Sequence, residues 1–263
     1  MKISTSILAS LAFFAAGAAN ATVITAQDNF NTNNGAGGTG WAKPWEFAPA
    51  AKPNKQNQNP PAPASIANSS LVFVGNDDNA AVRSLAAEYV SDVFVDFTIS
   101  YSGELGGNDF VGLWFGKSNS PSIGLKANCG DGKKDTACTT DLFVRMGGSD
   151  GVFLSNSNLL AGQSYQVFGH LYKSVDATNK QYDRFDAWYQ VTGSDLVAGT
   201  AQAKGNSNIS SFDKLGFRSV NIDNGVQVSI DNLRVGEVPE PGSVALMGLA
   251  LAGLVAAGRR KRG

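Results

Sequence analysis

The chain has 263 residues with 21 basic and 22 acidic side chains, one histidine and two cysteines. Setting aside Lys2, Arg259, Arg260, Lys261 and Arg262 at its two ends leaves 16 basic against 22 acidic residues, an acidic balance. Nucleic acid and anionic membrane surfaces are therefore poor partners, because neutralising phosphates takes clustered Lys and Arg.

Lys2, an apolar run over 7–19 and the small-x-small site Ala19-Asn20-Ala21 predict a signal peptide at 1–21, cut before Thr22. The remaining body, 22–237, has the length of one sizeable β domain. It begins with Asp28-Asn29-Phe30 and a Gly- and Asn-rich excursion that ends in Gly37-Gly38-Thr39-Gly40-Trp41. A phosphate cradle would need a strand before the glycines and a helix opening with Lys-Ser or Lys-Thr after them, whereas Trp41-Ala42-Lys43-Pro44-Trp45 follows. Residues 49–63 are Pro, Asn, Gln, Lys and Ala with little to bury, and predict a flexible loop inside the first long crossover.

From Leu71 onward the pattern has period two. Val93, Val95, Phe97, Ile99 and Tyr101 are apolar and alternate with Asp96, Thr98 and Ser100, which predicts a strand. Further strands are predicted at 71–74, 109–116, 122–126, 141–146, 152–154, 164–173, 184–191, 214–220 and 226–235, with Gly, Asn, Asp and Ser clusters between them. Residues 80–88 come nearest to a helical apolar stripe. About ten strands in a body of this size predict an all-β fold, a two-sheet antiparallel β-sandwich or jelly roll. In the last strand Val226, Val228 and Ile230 share one parity and Leu233 and Val235 the other, so a bulge near Asp231-Asn232 is needed to bury both sets. Cys129 and Cys138 bound a ten-residue loop that an exported location allows to be stapled by a disulfide.

Glycoside hydrolysis needs two carboxylates about 5 to 10 Å apart. Glu46, Glu88, Glu104 and Glu237 include no two at strand spacing, and Asp96 and Asp186 read as solvated outer-face residues. His170 shares its face with Phe168 and Tyr172, and no Gly-x-Ser-x-Gly elbow occurs, so nucleophilic hydrolysis has no visible machinery. The body is expected not to be an enzyme. No cofactor is expected either, with calcium as the alternative: 75–79, 131–135 and Asp223-Asn224 offer hard oxygens, although these are also ordinary turn residues. Trp114 and Trp188 lie in strand patterns, whereas Trp41 and Trp45 sit in a polar loop and are the candidates for stacking on a sugar ring.

The chain closes with Val238-Pro239-Glu240-Pro241, an apolar run over 243–258 and Arg259-Arg260-Lys261-Arg262. At 1.5 Å per residue the run spans about 24 Å, a marginal transmembrane helix, and the cations after it would stay on the cytoplasmic side. This three-part layout at 238–263 resembles the PEP-CTERM sorting signal of exported bacterial proteins. The resemblance implies recognition at Pro239, Glu240 and Pro241 by a membrane-embedded exosortase, with delivery to the cell surface or extracellular matrix. The body in turn is similar to concanavalin A-like, laminin-G-like jelly rolls, on Asp28-Asn29-Phe30, the segment 37–41, Ser69-Ser70-Leu71-Val72-Phe73, Arg83 and the closing Ile230-Asp231-Asn232-Leu233-Arg234-Val235-Gly236. That likeness implies first and last strands side by side with Phe30 and Ile230 in one core. It also implies a glycan-binding or structural role beside extracellular polysaccharide, with a divergent polysaccharide hydrolase as the alternative.

Overall fold

Alternation of apolar and polar side chains commits most of the body to strands, and the burial follows it: over Val93–Ser102 every odd residue is buried and every even one is partly or fully exposed. The computed structural model describes residues 23–48, 64–74, 80–107, 109–117, 121–129, 138–147, 151–222 and 225–237. The signal peptide, the loop at 49–63, the candidate calcium loops and everything from Val238, including the sorting motif and the helix expected after it, lie outside these residues. Among the described residues no helix is long and apolar enough to cross a membrane.

The strands are β1 (Val23–Asp28), β2 (Glu46–Phe47), β3 (Ser65–Ala67), β4 (Ser70–Phe73), β5 (Ala81–Tyr89), β6 (Val93–Ser102), β7 (Phe110–Phe115), β8 (Ser122–Asn128), β9 (Thr139–Arg145), β10 (Val152–Phe153), β11 (Ser164–Tyr172), β12 (Arg184–Val191), β13 (Val197–Lys204), β14 (Phe212–Val220) and β15 (Gln227–Glu237). They form two antiparallel sheets. The first runs β13-β12-β11-β6-β15-β4-β3, with β1 also paired to β15, and the second β10-β9-β8-β7-β14-β5-β2. First and last strands are thus neighbours, and Phe30 and Ile230 lie in one core. Between the sheets Phe97 and Phe185 meet Phe217 and Phe115 edge to face, at 6.3 and 5.8 Å between ring centroids.

The bulge falls where the parity change requires it. Asp231 pairs with Thr98 and Arg234 with Asp96, so β15 spends one residue more than β6 over this step. Asn232 takes the left-handed conformation at φ 51°, which Asn tolerates better than most residues. Ile230 and Leu233 are consequently both fully buried. Cys129 and Cys138 are disulfide-bonded and tie the end of β8 to the start of β9.

Residues 80–88, for which the sequence predicts no strand and no helical stripe of three turns, contribute most of strand β5. Its inward positions include Arg83, a buried cation that masks the alternation. Four further strands, β1, β2, β3 and β13, complete the sheets.

Candidate functional site

Four adjacent strands of the first sheet, β15, β6, β11 and β12, turn one side of each to the core and the other outward, and antiparallel register aligns the outward residues in rows. One row reads Arg234, Asp96, Phe168, Trp188, and on to Thr200 of β13. The next, toward one end of the sheet, reads Asp231, Thr98, Gln166, Gln190. On the other side lie Phe94, His170, Asp186 and Gln202. Successive rows on one face are about 7 Å apart.

The rings in these rows pack on one another. Phe168 and Trp188 are nearly parallel at 5.5 Å, Phe94 and His170 stack at 4.1 Å, and His170 and Tyr172 at 4.5 Å. All five are half-buried, so each keeps part of its surface in water. Polar groups between them are fixed. Asp96 Oδ1 accepts from Gln166 Nε2 at 2.9 Å and from Arg234 Nε and a terminal guanidinium nitrogen at 2.9 and 2.6 Å, and Asp186 Oδ1 accepts from Gln202 Nε2 at 2.6 Å. His170 Nε2 approaches Asp92 Oδ2 at 3.4 Å without the alignment of a hydrogen bond. Asp231 stands beside this face with its carboxyl pushed up by burial, against the bond it accepts from the Asn232 amide.

Next to the aromatic rows opens a cleft of about 390 Å³, lined by Gln27, Asp28, Asn29, Gly38, Thr98, Gln166, Asn232, Leu233 and Arg234. Its lining carries amides, a hydroxyl and a guanidinium, the groups that hydrogen-bond to neutral polyols and their anionic derivatives. One wall is the Gly-rich segment after β1. Gly38 and Gly40 have φ of 78° and 80°, and a Cβ there would sit 2.1 Å from the Gln27 carbonyl oxygen and 1.9 Å from that of Thr25. Only glycine lets the segment lie this close to β1.

Arg83 holds that wall in place from beneath. It pairs with Asp28 while donating to Lys43 O and Gly37 O, each at 2.8 Å, and Asp28 also accepts from the Phe30 amide at 2.8 Å and from Trp45 Nε1 at 2.9 Å. Burial lowers the Arg83 pKa and the Asp28 carboxylate works against that shift. The two tryptophans named from the sequence belong to this clamp. Trp45 is only 4% exposed, and Trp41 lies with its ring centroid 4.6 Å from the Arg83 guanidinium and its indole nitrogen donating to Gln27 O. Trp45 therefore has no ring face for a sugar, and Trp41 supports the wall from outside the cleft lining. Of the two tryptophans in strand patterns, Trp188 is on the open face, while Trp114 is buried on the outer side of the second sheet. The overlooked signal is an aromatic residue at outward parity on each of three paired strands, Phe94, Phe168 and Trp188, where polar residues are the rule. Among the described residues no group of His, Cys, Asp and Glu is placed to hold a metal ion.

The chain's last segment is decided by comparison with known families. Residues 237–262 match the PEP-CTERM protein-sorting motif. The motif implies export, sorting to the cell surface and processing by an exosortase. No curated protein matches the chain. Similar solved structures include a xylan β-1,4-xylosidase from Bacillus halodurans C-125, at 12% identity over 80% of this chain and 39% of that one, with a TM-score of 0.47. A β-1,3-glucanase from Mycobacterium marinum shares 13% identity over 81% and 98% of the two chains at a TM-score of 0.46. The CBM2 module of the evolved Dit of Lactobacillus casei BL23 phage J-1 shares 12% over 82% and 96% at 0.47. Most of the similar structures are glycoside hydrolases, and this corrects the expectation that the body is not an enzyme. At such identities the likeness concerns architecture, a two-sheet sandwich.

Proposed function

We propose that this exported protein engages a polysaccharide outside the cell, with the saccharide chain lying along the outer face of the first sheet. The observation that carries the reading is the continuity of two surfaces. A polar cleft of about 390 Å³ shares Gln166 and Arg234 with the hydrogen-bonded set around Asp96, and that set leads in register to Phe168 and Trp188. A sugar presents hydroxyls at its rim and apolar C–H groups on its faces, so a site with both kinds of partner side by side fits it. Asp96, Asp186 and Asp231 are carboxylates of this face on which cleavage of the bound chain would depend.

The tail supplies the address. Pro239, Glu240 and Pro241 are the recognition motif, the segment 243–258 a temporary membrane anchor, and Arg259, Arg260, Lys261 and Arg262 its cytoplasmic stop. The leader is cut after Ala19-Asn20-Ala21. Mass spectrometry of the mature protein is expected to find a chain that begins at Thr22 and lacks Arg262.

The face is tested by affinity electrophoresis of the mature protein in gels cast with neutral and with uronate-containing polysaccharides, with the reducing ends released measured in parallel. Trp188→Ala is expected to weaken retardation about tenfold, the loss of one stacking contact and its buried area, without a change in melting temperature large enough to indicate unfolding. Retardation unchanged in both Trp188→Ala and Gln166→Ala refutes the site. Reducing ends that appear with the parent protein and vanish with Asp96→Asn would assign hydrolysis to the same face.

A further inference from the structure

β15 ends at Glu237, and the sorting motif begins at the same residue. No spacer separates the folded body from the motif: Pro239 is two residues on, at most about 7 Å of extended chain. A peptidase holds several residues in an extended groove, yet the residues just before the motif are already paired on both sides, Leu233 to Glu237 with β1 and Arg234 to Glu237 with β6. An enzyme that reaches the motif must therefore meet this end of the sandwich.

What it would meet is apolar. Val23 and Ile24 open β1 opposite Glu237 and Gly236, and are 52% and 43% exposed. Val90, in the turn between β5 and β6, is 54% exposed, and its amide donates to Glu237 Oε1 at 3.0 Å, with Ser91 Oγ donating to the same oxygen at 3.1 Å. Glu237 thereby fixes the turn that carries Val90 beside the exit of the chain. The charged groups around this cluster are Glu237 and Asp92, Lys173, which donates to Val90 O, and the α-ammonium that cutting before Thr22 creates one residue ahead of Val23. Two anions against two cations leave no basic excess to draw the patch to an anionic lipid surface, whereas exposed aliphatic side chains suit an apolar protein rim.

We propose that the end of the sandwich formed by Val23, Ile24, Val90 and Glu237 is a docking surface for the peptidase that processes the tail, so that the body and the motif are recognised together. The proposal rests on the processing implied by the sorting motif. Its test uses the full chain in a host that processes it, with pulse-chase and the mass of the product as readout. Ile24→Lys and Val90→Lys, both at exposed positions, are expected to slow processing about tenfold, as the loss of one aliphatic contact would. In a second chain carrying a ten-residue Gly/Ser spacer between Glu237 and Val238, the same lysines are expected to have no effect, because the motif can then be engaged apart from the body. Lysine variants processed at the parental rate overturn the proposal, and so do lysine variants that stay slow behind the spacer. Slow processing that tracks a loss of membrane association of the uncut chain assigns the patch to lipid and also overturns it. Failure of the underlying reading looks different: the parent chain then yields no shortened product, and Pro239→Ala leaves it unchanged.

Discussion

Replacing Asp28 with alanine removes the carboxylate at the centre of the clamp beneath the cleft. The side chains of Arg83 and Asp28 are 2% and 0% exposed, so the guanidinium would be left charged and enclosed. It would keep two carbonyl partners, Lys43 O and Gly37 O, while the Phe30 amide and Trp45 Nε1 would lose their acceptor. Stripping one partner from a buried ion pair costs about 3 to 5 kcal/mol, and the orphaned donors would place the loss toward the upper part of that range. Such a loss is a large share of the 5 to 15 kcal/mol that roughly bounds a domain's stability. Urea unfolding followed by tryptophan fluorescence measures it, with Trp41 and Trp45 reporting on the clamp. The double variant Asp28→Ala/Arg83→Met is expected to recover part of the loss, because it removes the stranded charge while the Phe30 amide and Trp45 Nε1 stay without their acceptor and Lys43 O and Gly37 O lose their donor. A single-variant cost below about 1 kcal/mol, or two variants whose effects simply add, would refute the reasoning.

Reduction of the Cys129–Cys138 disulfide, or Cys129→Ser with Cys138→Ser, is expected to lower stability by about 2.5 kcal/mol on the chain-entropy estimate for a sequence separation of 9; matched denaturation curves with and without reductant check it. Burial alone would push the Asp183 carboxyl up, but bonds from the Ser174 hydroxyl and amide and the nearby Arg184 guanidinium together hold it below its ordinary value. A depressed carboxyl stabilises the fold above its unfolded pKa and ceases to do so as pH falls through its folded pKa. The stability difference between the parent protein and Ser174→Ala is therefore expected to be full above about pH 4 and to shrink in more acid solution, as thermal melts across that range would show.

Strands whose inward residues are large and apolar were legible from sequence: β6, β11 and β12 follow from period two, and the parity change in β15 located its bulge to the residue pair. Two elements were hidden for opposite reasons. β5 points Arg83 inward, and a cation at a core position is intelligible only once Asp28, 55 residues away, is known to meet it. β13 turns the small residues Gly199, Ala201 and Ala203 inward, which give little hydrophobic signal; at Gly199 the Ser155 carbonyl oxygen lies 1.7 Å from where a Cβ would be. The surroundings of the tryptophans were hidden by the same limit. Trp41 and Trp45 looked exposed because their neighbours in sequence are polar, whereas their neighbours in space are Arg83, Asp28 and Phe30. Trp188 shares its parity with Asp186, already read as an outer-face residue, and the register adds that it lies beside Phe168.

The antiparallel pairing of β1 with β15, Val23 opposite Glu237, also fixes how the body responds to mechanical load. A force drawn between residues 23 and 237 would act on adjacent chain ends and unzip that pair one hydrogen bond at a time, each worth only about 1 kcal/mol net. A tug on the tail alone would instead act along β15, which β6 and β1 grip from both sides, and many bonds would have to give in shear together. The body is thus weak against being stretched across its termini and strong against being towed by its C-terminal tail.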